Sequence, residues 1–103
     1  MINELLTRFP PIEAQLEALL ADLEANKQQN LFSYGLLRDI LESLKQLRGR
    51  LAQEPVDLER CRFHAGALGR VALESVEFAD SELGTQLLWL ISDIIKMAEG
   101  RSG

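Results

Sequence analysis

The side chains best suited to covalent chemistry are Cys61 and His64, which stand three residues apart. Residues at this spacing share one face of a helix, so a cysteine nucleophile activated by the imidazole has to be considered. These are the only cysteine and the only histidine of the chain. A lone histidine beside a cysteine on a helix is more often structural. We therefore predict a structural role for both.

The other signatures of enzyme active sites are missing from the sequence. It contains no glycine-rich phosphate loop, no GxSxG motif and no HExxH motif. A metal site built from two or three imidazoles is impossible with a single histidine. The carboxylates are spread along predicted helix surfaces and do not converge as a catalytic pair. The sequence predicts a protein that is not an enzyme, with no catalytic residues, no metal site and no cofactor.

Four acidic residues, Glu74, Glu77, Asp80 and Glu82, form the best candidate for a binding surface. No lysine or arginine interrupts them. Position 77 follows 74 by three, so these two carboxylates project from one side of a helical turn. Asp80 and Glu82 also have a structural explanation, because an aspartate can cap a helix and a glutamate in the first turn complements the helix dipole. We predict that the four acids contact a partner, with ordinary solvated surface as the alternative.

Helices must position these residues, because the sequence is rich in Leu, Ala, Glu, Gln and Arg, whose side chains lose little conformational freedom in a helix. At 103 residues the chain has the length of one domain. The sequence predicts an all-α fold, a compact four-helix bundle-like single domain spanning 1–103, with a possible short extra N-terminal helix. The predicted helices are 11–25, 34–52, 58–75 and a fourth that is capped by Asp80 and ends at Ala98. A loop at 26–30, a corner at Phe78 and Ala79, and a frayed end at 99–103 complete the prediction.

The beginning of the chain allows two interpretations. Apolar residues from Ile2 to Phe9 recur at helical spacing, but Pro10 and Pro11 follow at once, and a proline disfavours helix in the residue before it. Either a short helix ends at the prolines and Pro11 begins a new one, or 2–23 is a single helix kinked at the prolines.

The third predicted helix carries very small residues on one face. Gly66 and Gly69 each cost roughly 1 kcal/mol relative to alanine inside a helix, and close approach of a neighbouring helix is the usual compensation. We predict tight packing inside the bundle through Gly66, Gly69 and Ala72. The inward stripe of this helix is predicted to continue as far as Val76.

The fourth helix is apolar over more than half its circumference, since Leu88, Trp89 and Ile95 widen its inward stripe. Either this helix lies centrally in the bundle, or a second chain covers part of it. In both cases Trp89 is expected to be at least half covered. The charged residues of the first two helices, including Glu13, Glu17 and Arg48, are predicted to lie opposite the apolar stripes, on solvated faces.

Charge and hydropathy exclude several classes of partner. The formal net charge of -5 argues against nucleic acid, whose phosphates the field of the whole molecule repels. The longest apolar run, Leu87 to Ile91, is far shorter than the roughly 20 residues that span a bilayer. No basic and apolar leader opens the sequence, and one cysteine cannot form an internal disulfide, so a cytoplasmic location is expected.

The segment LGRVALESVEFADSELGTQLL, residues 68–88, resembles part of a known family. It is similar to the small helical immunity proteins of type VI secretion toxin-immunity pairs, in particular those that pseudomonads carry against a secreted NAD(P) glycohydrolase toxin. The matching positions are core, cap and acidic residues: Leu68, Gly69, Val71, Ala72, Asp80, Glu82, Leu83 and Leu87. The likeness extends more loosely back through Asp57 and the second helix, but not before Ser33.

The resemblance implies a cytoplasmic bacterial protein that binds the toxin domain of a cognate effector and blocks its active site. The charge of the chain agrees with this implication, because toxins that act on nucleotides tend to have basic clefts, into which an acidic partner is steered. An alternative function is a homodimeric helical adaptor or regulator that uses the wide stripe of the fourth helix as its dimer face. A gene for a large toxin-tipped protein immediately upstream would favour the first function.

Overall fold

A computed structural model describes residues 2–25 and 33–100. The described residues form four long helices and two short ones, and no strand. The all-α prediction, with its short N-terminal helix, is confirmed. The predicted loop at 26–30 and the last three residues of the predicted frayed end lie outside the described residues. The helices are α1 (Ile2–Leu6), α2 (Phe9–Ala25), α3 (Tyr34–Leu51), α4 (Leu58–Leu73), α5 (Val76–Asp80) and α6 (Glu82–Ala98).

The N-terminal segment forms two helices, and the break between them precedes the prolines. Thr7 and Arg8 form the turn, and α2 begins at Phe9. Pro10 and Pro11 therefore lie in the first turn of α2, where a backbone N–H has no partner within the helix and its absence is harmless. Both interpretations of the sequence placed the break at the prolines, about two residues too late.

Long helices pack side by side in antiparallel pairs. In α2 and α3, Glu17 lies near Lys45 at one level, and Tyr34 donates its hydroxyl hydrogen to Glu24 at another (3.0 Å). In α4 and α6, Arg62 pairs with Glu99 (3.0 Å), which also shows that the predicted fraying does not apply to Glu99. The helix α6 contacts α1, α2, α4 and α5, and it thus has the central position that was one of the two alternatives for its wide apolar stripe.

One continuous core joins all six helices. Its largest fully buried side chains come from five of them: Phe9, Phe78, Leu16, Leu37, Ile40, Leu44, Leu47, Leu51, Leu68, Leu87, Leu90 and Ile94. Burial of a leucine or phenylalanine side chain contributes roughly 1.5–3 kcal/mol, so this shared core is the main reason why the short helices hold their positions.

Glycines mark where the packing is closest, and only part of the prediction is confirmed. Gly69 and Ala72 are buried, and a Cβ added to Gly69 would lie 3.6 Å from Ile91 Cγ2, an ordinary contact. Gly66 is only half-buried, and a Cβ there would meet no atom within 4 Å, so its predicted tight packing is wrong. The closest approach is at Gly84 of α6, which lies directly against the backbone of α5 at Phe78.

A buried carboxylate lies between α2 and α3. Glu13 is 5% exposed, and its Oε1 accepts from Arg48 Nη1 at 2.9 Å. The prediction of a solvated position is wrong for Glu13, and Arg48 is only half-exposed, because the two faces meet where the helices pack. The other carboxylate oxygen, Oε2, is buried and has no hydrogen-bond partner among the described residues. Glu13 therefore depends on Arg48 for the compensation of its charge.

Replacing Arg48 with methionine is expected to lower the free energy of unfolding by about 1–3 kcal/mol. The stem of the side chain is kept, but the Glu13 carboxylate is left buried without a partner. The half-exposed position of Arg48 keeps the effect below that of a fully buried pair. Urea unfolding measures it, with Arg38→Met as the control, because Arg38 and Glu42 form an exposed pair. Equal stability of the two variants would contradict the role of Arg48.

Candidate partner-binding surface

The four predicted acids lie at the junction of α4, α5 and α6, and all four are exposed. Glu74 is the C-cap of α4, and Glu77 lies in the first turn of α5. Asp80 is the last residue of α5, and Glu82 is the first of α6. The chain reverses direction within this short segment. The four carboxylates, which follow one another within residues 74–82, thereby lie together at one end of α4 and α6.

Helix α6 is capped by Ser81 and not by Asp80, so the predicted N-cap is wrong. Ser81 Oγ accepts from the backbone N–H of Gly84 at 3.0 Å and donates to the carbonyl oxygen of Phe78 at 2.6 Å. Aspartate and serine both make good caps. The choice between them is decided by α5, because the residues predicted to form a corner, Phe78 and Ala79, are helical and Asp80 completes that helix.

Helix chemistry accounts for two of the four acids. Glu77 complements the start of α5, where Ser75 is the N-cap and donates to Glu77 Oε2 at 3.3 Å. Glu82 complements the start of α6 in the same way. Glu74 has no such explanation, because a carboxylate at the C-terminal end of α4 is disfavoured by the helix dipole. Asp80, which is not a cap, is the second acid without a capping role. The informative pair is therefore Glu74 and Asp80, where the sequence indicated Glu74 and Glu77.

The junction has strong negative charge. Within the part of the chain that the structure describes, none of the four acids forms an ion pair with a lysine or arginine. Asp39 of α3 adds a fifth carboxylate, since it lines a shallow groove together with Glu74 and Glu77. Among residues 2–25 and 33–100, no three His, Cys, Asp or Glu side chains are placed to hold a metal ion.

Two apolar side chains lie among these acids and were not predicted to be exposed. Leu73 is 59% exposed and Val76 is 67% exposed. The sequence placed Val76 on the inward stripe of the third helix, which is wrong because α4 ends at Leu73 and the helical register does not continue into α5. Exposed apolar side chains with a charged surround are typical of protein interfaces. We call the surface formed by Leu73, Glu74, Val76, Glu77, Asp80 and Glu82 the acidic corner.

Cys61 and His64 lie apart from this surface, in the N-terminal half of α4, and His64 is only partly buried. Cys61 is fully buried, and burial, with a smaller effect of Asp57, raises the pKa of its thiol. The reactive thiolate is thus disfavoured. Burial, followed by the positive charges of Arg50 and Arg60, lowers the pKa of His64 from its ordinary value of 6.5. Its Nε2 is buried and has no hydrogen-bond partner among the described residues. Both environments favour the neutral side chain, which suits packing better than nucleophilic catalysis.

Acidification from about pH 7 to about pH 5 is expected to destabilise the protein in part through His64. Its pKa is lower in the folded chain than in the unfolded chain, so the unfolded chain binds more protons as the pH falls through 6.5. The contribution of neutral His64 to the free energy of unfolding is therefore complete above pH 6.5, and it is lost as the pH falls from there through the lower pKa of the folded chain. Thermal unfolding of the parent and of His64→Gln across this range measures the effect, and the variant should show a smaller fall. Identical pH profiles would contradict the assignment.

Trp89 is the largest apolar side chain on the outside of α6. It is 67% exposed, whereas Leu88 and Ile95 are partly buried against the core. The expectation that Trp89 is at least half covered is therefore wrong for a single chain. Coverage by a second chain stays a prediction.

No protein-family model, curated protein or solved structure matches this chain. The resemblance of residues 68–88 to immunity proteins accordingly stays a prediction. The helices formed by the described residues include none with the length and apolarity needed to cross a bilayer. The geometry of the acidic corner is the main physical guide to function.

Proposed function

We propose that this chain is an immunity protein that binds the toxin domain of a cognate type VI effector in the bacterial cytoplasm and occludes its active site. The acidic corner is the single observation that carries the proposal. It combines exposed carboxylates that no described base neutralises with two exposed apolar side chains, Leu73 and Val76. Such a surface suits a protein partner with a basic rim and an apolar contact area.

The resemblance of residues 68–88 implies a toxin that acts on NAD(P) or on another nucleotide. A toxin domain that degrades NAD(P), or another nucleotide, requires positive groups for phosphates. An acidic partner is attracted to the same groups, and this attraction accelerates association and places the partner over the cleft. The protein therefore acts by occupying the site, with no catalytic residue, metal or cofactor of its own. The resemblance of residues 68–88, which include the acidic corner, supports the same proposal.

The proposal predicts that the gene immediately upstream encodes a toxin domain, and co-expression with that domain tests this function. We expect the toxin domain alone to arrest growth and to deplete NAD(P), and the co-expressed chain to restore both. The purified proteins should elute together in size-exclusion chromatography. A toxin variant without activity serves as the binding control, because it must still form the complex. Continued growth arrest and no complex, with the chain shown to be folded by circular dichroism, would contradict the proposal.

A further inference from the structure

The outward face of α4 is an apolar and charged stripe that no helix of the described chain covers. Phe63, which is 66% exposed, lies on it together with Arg60 and Arg70. Glu74 ends the stripe, since residues spaced by three and four along a helix share one face. Gly66 and Ala67 lie between the large side chains, and because they are small they leave a recess in the middle of the stripe.

Two charges of this stripe, Arg60 and Glu74, lie at equal distances from Ala67. Arg60 lies seven residues before it, and Glu74 lies seven residues after it. Arg60 and Arg70 form no ion pair with any described carboxylate, and Glu74 forms none with a described base. An antiparallel copy of the same helix would therefore meet the stripe with opposite charges at both ends. This self-complementarity favours a second copy of the chain over any other occupant.

We propose that two copies of the protein associate through α4 in an antiparallel, two-fold symmetric dimer centred near Ala67. Arg60 of each copy then faces Glu74 of the other. Phe63 of each copy lies beside Arg70 of the other, in reach of a cation–π contact. Gly66, at which a Cβ would meet nothing within 4 Å, allows the two helices to approach closely.

The expected dimer is weak. A helix of 16 residues is about 24 Å long, and a single helix pair covers less than the ~800 Å² per partner of a standard interface. The dimer also covers Glu74, which belongs to the acidic corner. If the proposed function is correct, the dimer and the toxin complex exclude each other, and toxin binding converts dimer to monomer. The self-association itself does not depend on that function.

Sedimentation equilibrium of the full chain, from the micromolar to the millimolar range, tests the dimer. We expect a monomer–dimer equilibrium that Arg60→Glu and Glu74→Arg each weaken at least about tenfold, because like charges then face each other. The double variant Arg60→Glu/Glu74→Arg exchanges the charges and should restore the parent dissociation constant. Arg38→Glu makes the same charge change on the exposed face of α3 and should have no effect.

Gly66→Gln provides a steric test that leaves the monomer intact. The added side chain enters open space in the monomer, and glutamine favours helix more than glycine does, so thermal stability at low concentration should not fall. Association should be lost. Trp89 emission should remain red-shifted at all concentrations, because α6 is not the dimer face. A monomer at every concentration, a dimer that survives both Arg60→Glu and Gly66→Gln, or a concentration-dependent blue shift of Trp89 would overturn the proposal.

Discussion

Replacing Gly84 with alanine is expected to destabilise the fold by roughly 3 kcal/mol or more. The added Cβ would overlap the carbonyl oxygen of Phe78 and would lie 2.8 Å from its carbonyl carbon and 3.1 Å from Ala79 Cα. These atoms belong to the backbone, so no side-chain rotation relieves the overlap. The same carbonyl oxygen accepts hydrogen bonds from Ser81, and displacement of α5 would break the cap of α6 as well. A loss of this size is a large fraction of the 5–15 kcal/mol that stabilises a typical domain.

The helical glycines Gly66 and Gly69 provide matched controls for Gly84→Ala. An alanine at Gly66 enters open space, and one at Gly69 makes an ordinary contact with Ile91. Both should be neutral or stabilising, by up to about 1 kcal/mol, because alanine favours helix. Gly69→Leu should instead overpack the interior and lose about 1–3 kcal/mol. Urea midpoints measure all four variants. If Gly84→Ala unfolds at the same urea concentration as Gly66→Ala, the close approach of α5 to α6 does not exist.

The double charge reversal Glu74→Lys/Asp80→Lys, at the two acids without a capping role, is expected to weaken binding of the cognate toxin domain by roughly 2–5 kcal/mol. Both side chains are exposed and lie outside the core, so the fold should be retained. If the proposed function is correct, the lysines would face a basic cleft, which converts attraction into repulsion. The lower limit corresponds to an increase of about thirtyfold in the dissociation constant. Protection of cells in co-expression should fall accordingly.

A second double variant separates contact from overall charge. Glu4→Lys/Glu54→Lys changes the net charge by the same amount, but these two exposed acids lie in α1 and just after the C-terminal end of α3, whereas the acidic corner lies near the N-terminal end of α3. This variant should slow association slightly and leave the dissociation rate unchanged. Calorimetry and stopped-flow kinetics with an inactive toxin domain distinguish the two. If the reversed corner binds as tightly as the control, the acids of the corner are solvated surface and the contact lies elsewhere.

The long helices could be predicted from the sequence because their determinants are local. Apolar spacing over four or five turns defines α3, and Ser33 and Asp57, which are residue types favoured at N-caps, cap α3 and α4. The five residues of α5 are too few to show a period, and this helix was missed. Because α5 was missed, the N-cap of α6 was predicted at Asp80, one residue before the observed N-cap, Ser81. Short helices depend on the packing of one anchor, here Phe78, and such an anchor has no local signature.

The candidate surface was predicted in its residues but not in its full character. The acids could be located because they follow one another along the chain. The exposure of Leu73 and Val76 depends on where α4 stops, and the burial of Glu13 depends on which face α3 presents to α2. Gly84 was not distinguished from the other glycines for the same reason. A glycine has no sequence feature that shows which backbone will lie against it.

The contact between Gly84 and the backbone of Phe78 has a consequence for recognition. It fixes the geometry of the turn that carries Asp80 and Glu82, and the Ser81 hydrogen bonds fix it further. A surface that is already rigid loses little conformational entropy when a partner binds, so more of the contact energy remains as affinity. Preorganisation of this kind favours binding of a partner to a small surface without refolding. In this protein, the absence of a Cβ at Gly84 is what permits this preorganised turn.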